Sequence, residues 1–105
     1  MKAGQFYQTR YARTGQADRL NPRLQRVVEY AQGFRAPRLL DVGCGDGAFT
    51  LALKQACQAK ESYGIELSED AVSLARARGV ITEIVDVSSD PFPFEDGYFD
   101  LVFAG

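Results

Sequence analysis

A glycine-rich heptapeptide at residues 41–47, DVGCGDG, constrains the fold of this chain more than any other feature. It follows a short apolar run at residues 38–42, RLLDV, and precedes apolar residues spaced as on one face of a helix. Glycine at alternate positions lets the backbone turn sharply and lets a bound molecule approach it closely. The pattern therefore predicts a strand, a tight loop and a helix, with the loop bordering a ligand site.

The segments after this loop alternate between strand and helix patterns. Residues 63–66 and 82–87 are predicted to form a second and a third strand, and residues 98–104 a fourth. Between the second and third strands, Ser68 is placed to cap a helix and Gly79 lies just beyond its end. Strands that alternate with helices predict an α/β fold with a parallel sheet and right-handed crossovers.

The chain is predicted to divide into an N-terminal arm and helix, residues 1–37, and an α/β ligand-binding domain, residues 38–105. Asn21 followed by Pro22 is typical of a helix start, and Gly33 is placed to end that helix. The first twenty residues have no clean periodicity.

The charges are distributed unevenly. The 105 residues carry a net charge of −2, but residues 1–38 carry a net charge of +6 and residues 39–105 carry −8. The arginines form no dense run of the kind expected for a nucleic-acid patch. We therefore favour a solvated basic face that lies against its own acidic domain over a basic arm that steers an anionic substrate or nucleic acid. Nucleic acid is thus not an expected partner.

The cysteine and histidine content argues against a metal site. The chain has two cysteines, Cys44 and Cys57, and no histidine, so neither a zinc site nor a disulfide framework is expected. The sequence has no signal-peptide pattern and no run of about eighteen apolar residues. These features predict a cytoplasmic protein without a membrane partner.

The glycine-rich loop is compatible with two cofactors, NAD and S-adenosylmethionine. Gly43, Gly45 and Ala48 also satisfy the G-x-G-x-x-G/A fingerprint of dinucleotide-binding proteins. Glu66 suits the ribose diol of either cofactor. Asp41 favours one of them, because a pyrophosphate at the loop would face a carboxylate at close range. S-adenosylmethionine carries an ammonium and a sulfonium but no phosphate, so the charge at Asp41 favours it over NAD.

Four segments, taken in order, resemble the class I S-adenosylmethionine-dependent methyltransferases. They are the signature loop at residues 39–47 (LLDVGCGDG), the second-strand motif at 63–68 (YGIELS), the third-strand end at 85–87 (VDV) and the lead into strand four at 93–102 (PFEDGYFDLV). The resemblance covers residues 38–105 and is closest to enzymes that act on small molecules. It implies a Rossmann-like parallel sheet of order 3-2-1-4, the first part of a seven-stranded fold.

The resemblance also implies a set of cofactor-binding residues. In this family the acid at the position of Glu66 holds both ribose hydroxyls, and the one at Asp86 accepts from the adenine amino group. A less favoured alternative is that Asp86 caps the turn that follows it. The complete set is Asp41, Gly43, Cys44, Gly45, Gly47, Glu66, Leu67, Asp86 and Val87. Three residues of the N-terminal arm are candidates to close over the methionine carboxylate, although surface packing explains them equally well: Tyr7, Arg10 and Tyr11.

The resemblance implies methyl transfer by the full-length protein, with a small-molecule acceptor favoured and no catalytic residue identifiable. In the family fold the acceptor contacts come largely from segments after strand four, so the 105-residue chain is expected to be inactive alone. One alternative is a non-catalytic module that binds S-adenosylmethionine or its demethylated product. A less favoured alternative is an NAD-dependent oxidoreductase. The apolar fourth strand lacks a fifth strand beside it, so we also expect self-association through its edge.

Overall fold

A computed structural model of the chain describes residues 21–104, in which helices flank a four-stranded sheet. The helices are α1 (Pro22–Ala31), α2 (Ala48–Ala56) and α3 (Glu69–Ala77). The strands are β1 (Arg38–Val42), β2 (Glu61–Glu66), β3 (Ile81–Ile84) and β4 (Leu101–Ala104).

The sheet is parallel throughout, and its strand order is β3-β2-β1-β4. The predicted α/β class, the Rossmann-like sheet and the order 3-2-1-4 are therefore confirmed. Strand β1 pairs with β2 on one side and with β4 on the other, so the direction of the crossovers reverses between β1 and β4. Open α/β sheets bind their ligands at the carboxyl ends of the strands beside such a reversal.

Short-range sequence signals set the starts of α1 and α3. The Asn21 Oδ1 atom accepts the N–H of Leu24 at 2.9 Å, and Pro22 is the first residue of α1. The Ser68 Oγ atom accepts the N–H of Ala71 at 3.3 Å at the start of α3. Each bond satisfies an N–H group that a helix start leaves without an intrahelical partner. Both helices therefore begin where the sequence predicts.

One face of the sheet carries the main apolar core, beneath α1 and α2. Its buried members are Ala31, Ala36, Leu39, Phe49, Leu53 and Cys57. Three residues of α1 pack against them, namely Leu24, Val27 and Val28. Helix α1 thus shares a core with β1 and α2, while the division of the chain at residue 38 stays a prediction.

The opposite face carries an aromatic cluster around Tyr63. Successive side chains of a strand point to opposite faces, so Tyr63 projects away from α1 and α2. Its ring centroid lies 5.8 Å from that of Phe94, 5.6 Å from Tyr98 and 5.2 Å from Phe99. The Tyr63 and Tyr98 hydroxyl oxygens lie 2.8 Å apart. This hydrogen bond, together with burial, raises the pKa of Tyr63 to about 12.

The fourth strand is shorter than the predicted segment 98–104 and covers only Leu101–Ala104. The aromatic side chains that precede it contact Tyr63 instead of extending the ladder. Asp100 fixes this turn, because its Oδ2 atom accepts the N–H of Arg38 at 2.9 Å and its own N–H donates to the Arg38 carbonyl at 2.9 Å. Side-chain packing thus decides where β4 begins.

Candidate cofactor site

The glycine-rich loop joins the carboxyl end of β1 to the start of α2, and its residues 43–47 are all buried. Gly43, Gly45 and Gly47 have φ angles of 76°, 57° and 86°. These are left-handed conformations, which glycine adopts without the steric cost that a Cβ atom imposes. The alternation of glycines that the sequence displays is therefore required by the path of the backbone.

The loop is packed tightly against β2 and α3. A Cβ atom on Gly64 of β2 would lie 2.5 Å from the Sγ atom of Cys44. A Cβ atom on Gly47 would lie 3.1 Å from the Cα atom of Ala75 and 3.1 Å from Cγ2 of Val80. Cys44 is fully buried in this contact.

Glu66, at the carboxyl end of β2, anchors the loop through its carboxylate. Its Oε1 atom accepts the N–H of Gly45 at 2.8 Å. Its Oε2 atom accepts the N–H groups of Leu67 at 2.9 Å and Ser68 at 3.2 Å. The side chain is only 2% exposed, and these bonds compensate for the burial of its charge. The acid predicted to hold a ribose therefore also shapes the loop.

Asp41 lies at the carboxyl end of β1, opposite Gly64 in the ladder. Its side chain is fully buried, and its Oδ2 atom accepts the hydroxyl of Thr50 in α2 at 2.7 Å. The pairing of β1 with β2 brings Asp41 and Glu66 to the same edge of the sheet. Two buried carboxylates therefore border one glycine-rich loop.

Five backbone N–H groups of the loop and the start of α2 donate to acceptors within the protein. Gly43 and Cys44 donate to the Ile65 carbonyl at 2.9 and 3.2 Å. Gly45 donates to Glu66 Oε1 at 2.8 Å, and Gly47 donates to the Cys44 carbonyl at 3.1 Å. Ala48 donates to Asp46 Oδ1 at 3.0 Å. Phosphate-binding loops direct such groups at their ligand instead. The loop is therefore poorly suited to a pyrophosphate.

Residues 40–105 match the family described as "Methyltransferase domain". The chain belongs to this family. The resemblance that the four motifs predicted is thereby confirmed.

Three known proteins illustrate the relationship of this methyltransferase domain to longer chains. The ubiquinone biosynthesis O-methyltransferase of Bordetella avium is 34% identical over 90 residues, which are 79% of this chain and 36% of that protein. The demethylmenaquinone methyltransferase of Thermus thermophilus is 30% identical over 82 residues, 74% of this chain and 37% of that protein. The crystal structure of the YcgJ protein from Bacillus subtilis superposes with a TM-score of 0.62 at 26% identity, covering 75% of this chain and 35% of that one. The domain thus spans little more than a third of the relatives' length.

Exposed apolar side chains lie at the carboxyl ends of β2 and β3 in this methyltransferase domain. Leu67, the next residue, is 42% exposed, and Val87 is 39% exposed beyond the end of β3. Ile84 is paired with Glu66 in the ladder and is 48% exposed. Leu67 and Val87 belong to the predicted cofactor-binding set, whereas the sequence predicts Ile84 only as part of the third strand.

Asp86 lies outside the strand in which its segment was predicted, because β3 ends at Ile84 rather than at residue 87. Its Oδ1 atom accepts the hydroxyl of Ser88 at 2.6 Å and the N–H of Ser88 at 3.0 Å. These two bonds hold the pKa of Asp86 below its usual value. The Asp86 N–H also donates to Asp90 Oδ2 at 2.8 Å. Asp86 therefore does form the turn that its alternative interpretation describes, and its contact with adenine stays a prediction.

Thr50 contacts Asp41 in the candidate site, and the sequence motifs do not predict it. Its available signal was a hydroxyl amid apolar residues on the buried side of α2.

Three sequence candidates lie outside the described residues, namely Tyr7, Arg10 and Tyr11. Within residues 21–104, no group of three or more His, Cys, Asp or Glu side chains is arranged to hold a metal ion. In the same range, no helix has the length and apolar character needed to cross a membrane.

Proposed function

We propose that the chain is the S-adenosylmethionine-binding part of a methyltransferase. The observation that carries this proposal is the pair of buried carboxylates, Asp41 and Glu66, beside a loop in which four N–H groups donate to protein acceptors. Such a site favours a cationic ligand over a phosphate, since opposite charges attract strongly where water is excluded. S-adenosylmethionine is cationic at its reactive end and has no phosphate.

Each residue of the predicted set has a role in this proposal. Asp41 favours the cationic end of the cofactor, and Glu66 accepts hydrogen bonds from the ribose hydroxyls. Leu67 and Val87 provide an apolar wall for adenine, and Asp86 accepts from its amino group. The loop residues allow the cofactor to approach the backbone closely: Gly43, Cys44, Gly45 and Gly47. Because Glu66 already holds the Gly45 amide, the ribose must share or replace that bond.

Bound S-adenosylmethionine supplies a methyl group on a sulfonium, which is already an activated leaving group. The contribution of this chain is to bind and orient that group. Fixing two reactants in line accounts for much of the acceleration of such a transfer. The proposal therefore assigns no general base within this chain.

We further propose that the whole protein methylates a small molecule. The two curated relatives described above are named for ubiquinone biosynthesis and for demethylmenaquinone, which supports a small acceptor. The chain spans 36–37% of their length, so the 105-residue domain alone is expected to bind cofactor without turnover. The free thiols of Cys44 and Cys57 fit a reducing, cytoplasmic location.

A thermal-shift comparison of S-adenosylhomocysteine with NAD tests the proposal. A ligand that binds only the folded state at 100 times its Kd stabilises that state by about 2.7 kcal/mol. We expect S-adenosylhomocysteine to raise the unfolding midpoint and NAD to leave it unchanged. Stabilisation by NAD instead would contradict the proposal. Binding of S-adenosylmethionine by the full-length protein, without turnover on any acceptor, would favour a non-catalytic binding or assembly module.

A further inference from the structure

Thr50 is a buried hydroxyl in an otherwise apolar part of α2. It is the third residue of the helix, between the core residues Phe49 and Leu53, and its side chain is fully buried. Threonine inside a helix commonly donates back to the carbonyl of the preceding turn. Here the hydroxyl instead donates to Oδ2 of Asp41, in strand β1, at 2.7 Å.

The length of this bond is informative. Hydrogen bonds between a hydroxyl and a carboxylate are typically about 2.5–2.7 Å long, shorter than those between neutral groups. A buried carboxylate needs such donors, because its charge has lost contact with water. The bond also ties the start of α2 to the end of β1, on either side of the glycine-rich loop.

The bond holds one oxygen of the Asp41 carboxylate towards α2. It therefore restricts the rotation of the side chain and the directions in which the group presents its negative charge. A fixed charge stabilises a ligand more than a mobile one, because no reorganisation is required on binding.

We propose that Thr50 is a positioning residue that directs the Asp41 carboxylate at the cationic, methionine end of S-adenosylmethionine. This inference rests on the proposed function. It concerns the amino-acid end of the cofactor and not its adenosine end, which is assigned to Glu66 at the end of β2 and to the segments after β2 and β3. Loss of the Thr50 hydroxyl is therefore expected to weaken the binding of the amino-acid end of the cofactor and not that of its adenosine end.

The test compares two ligands by calorimetry, S-adenosylmethionine and 5′-methylthioadenosine, which lacks the amino-acid end. Thr50→Val removes the hydroxyl at nearly constant volume. We expect it to weaken S-adenosylmethionine on the order of tenfold, as for loss of a hydrogen bond to a charged group, and to change the affinity for 5′-methylthioadenosine by less than about twofold. Thr50→Ser retains the donor and is expected to restore the affinity for S-adenosylmethionine.

Thr82→Val is the matched control. Thr82 is also buried, and its hydroxyl donates to the Val80 carbonyl at 2.9 Å, away from Asp41. Its loss should lower stability without changing the ratio of the two affinities. In an Asp41→Asn background, Thr50→Val should have no further effect on that ratio, because residues that act through one another are not additive.

Equal losses for the two ligands in Thr50→Val, or no loss for either, would overturn the inference. If Thr50→Val does not fold, Thr50→Cys is compared in the same way, since its weaker S–H donor predicts a smaller loss of the same selective kind. Failure of the wild-type chain to bind either ligand would refute the proposed function itself, which separates that outcome from failure of the role of Thr50.

Discussion

Glu66 is the residue on which both the shape of the loop and the proposed ribose contact depend. Its carboxylate accepts backbone N–H groups on both sides, from Gly45 in the loop and from Leu67 and Ser68 after β2. A glycine-rich loop has much conformational freedom to lose on folding. The buried charge of Glu66 restricts that freedom before any ligand binds.

Replacing Glu66 by alanine is predicted to have two measurable effects. The affinity for S-adenosylhomocysteine should fall by ~10–100-fold, because hydrogen bonds to a charged group contribute ~1.5–3 kcal/mol. The ligand-free domain should also lose roughly 2 kcal/mol of unfolding free energy, since buried N–H groups lose their acceptor. Calorimetry and urea unfolding measure the two effects. Glu69→Ala, which removes an exposed acid at the start of α3, is the control and should leave the affinity unchanged. Wild-type affinity in Glu66→Ala would refute the ribose contact.

Gly64 illustrates a requirement at the residue scale that does not involve the left-handed region. Gly64→Ala would place a methyl group 2.5 Å from Cys44 Sγ and 2.8 Å from its Cβ. Such overpacking typically costs about 1–3 kcal/mol. In a Cys44→Gly background both atoms are gone, so the same substitution should cost clearly less in urea unfolding. Gly33→Ala, whose methyl group would make only an ordinary contact at 3.4 Å, should be nearly neutral. An equal cost of Gly64→Ala in both backgrounds would show that Cys44 is not the obstacle.

At the scale of elements, local signals and tertiary contacts predict different parts of the fold. The starts of α1 and α3 follow from Asn21 and Ser68, because a capping side chain acts within three residues. The start of β4 depends on contacts that no local pattern contains, such as the packing of Tyr98 on Tyr63. Sequence motifs likewise located the candidate site but not its internal bonds.

The aromatic cluster predicts a pH dependence of stability. The hydrogen bond with Tyr98 and burial raise the pKa of Tyr63 from 10.0 to about 12 in the folded state. The unfolded state therefore loses this proton first as pH rises. The contribution of Tyr63 to the free energy of unfolding is present in full below pH ~10, near the unfolded pKa of tyrosine. This contribution is lost as the pH approaches 12.

Urea unfolding between pH 9 and 12 measures this contribution. Tyr63→Phe should lower stability at neutral pH but reduce the loss over the alkaline range. Tyr30, whose side chain is 73% exposed, provides the control, and Tyr30→Phe should leave the alkaline profile unchanged. A wild-type alkaline profile in Tyr63→Phe would contradict the assignment.

At the scale of the whole molecule, the two edges of the described sheet differ. At the β3 edge, the Arg76 side chain donates through Nε at 3.1 Å and through Nη2 at 2.8 Å to the Thr82 carbonyl. These bonds occupy the Thr82 carbonyl, which could otherwise accept a hydrogen bond from another strand. At the other edge β4 pairs with β1, within residues 21–104 no strand lies beyond it, and Val102 is 53% exposed. Open apolar edges recruit other strands.

The 105-residue chain is therefore predicted to self-associate through β4 rather than through β3. Val102→Lys should shift the chain towards monomer in sedimentation velocity, because a charge on an edge strand opposes pairing. Ile81→Lys makes the same change at a residue of β3 that is 46% exposed, and should not alter association. A monodisperse wild-type monomer at high concentration would contradict this prediction.

We expect the carboxyl ends of β1 and β2 to bind the adenosyl cofactor of a methyltransferase. The crystal structure of the domain with S-adenosylhomocysteine tests this expectation most directly. We expect the ribose hydroxyls within about 2.6–3.0 Å of the Glu66 carboxylate, adenine against Leu67 and Val87, and the amino-acid end beside the loop near Asp41. A ligand bound elsewhere, or one whose ribose makes no contact with Glu66, would contradict the claim.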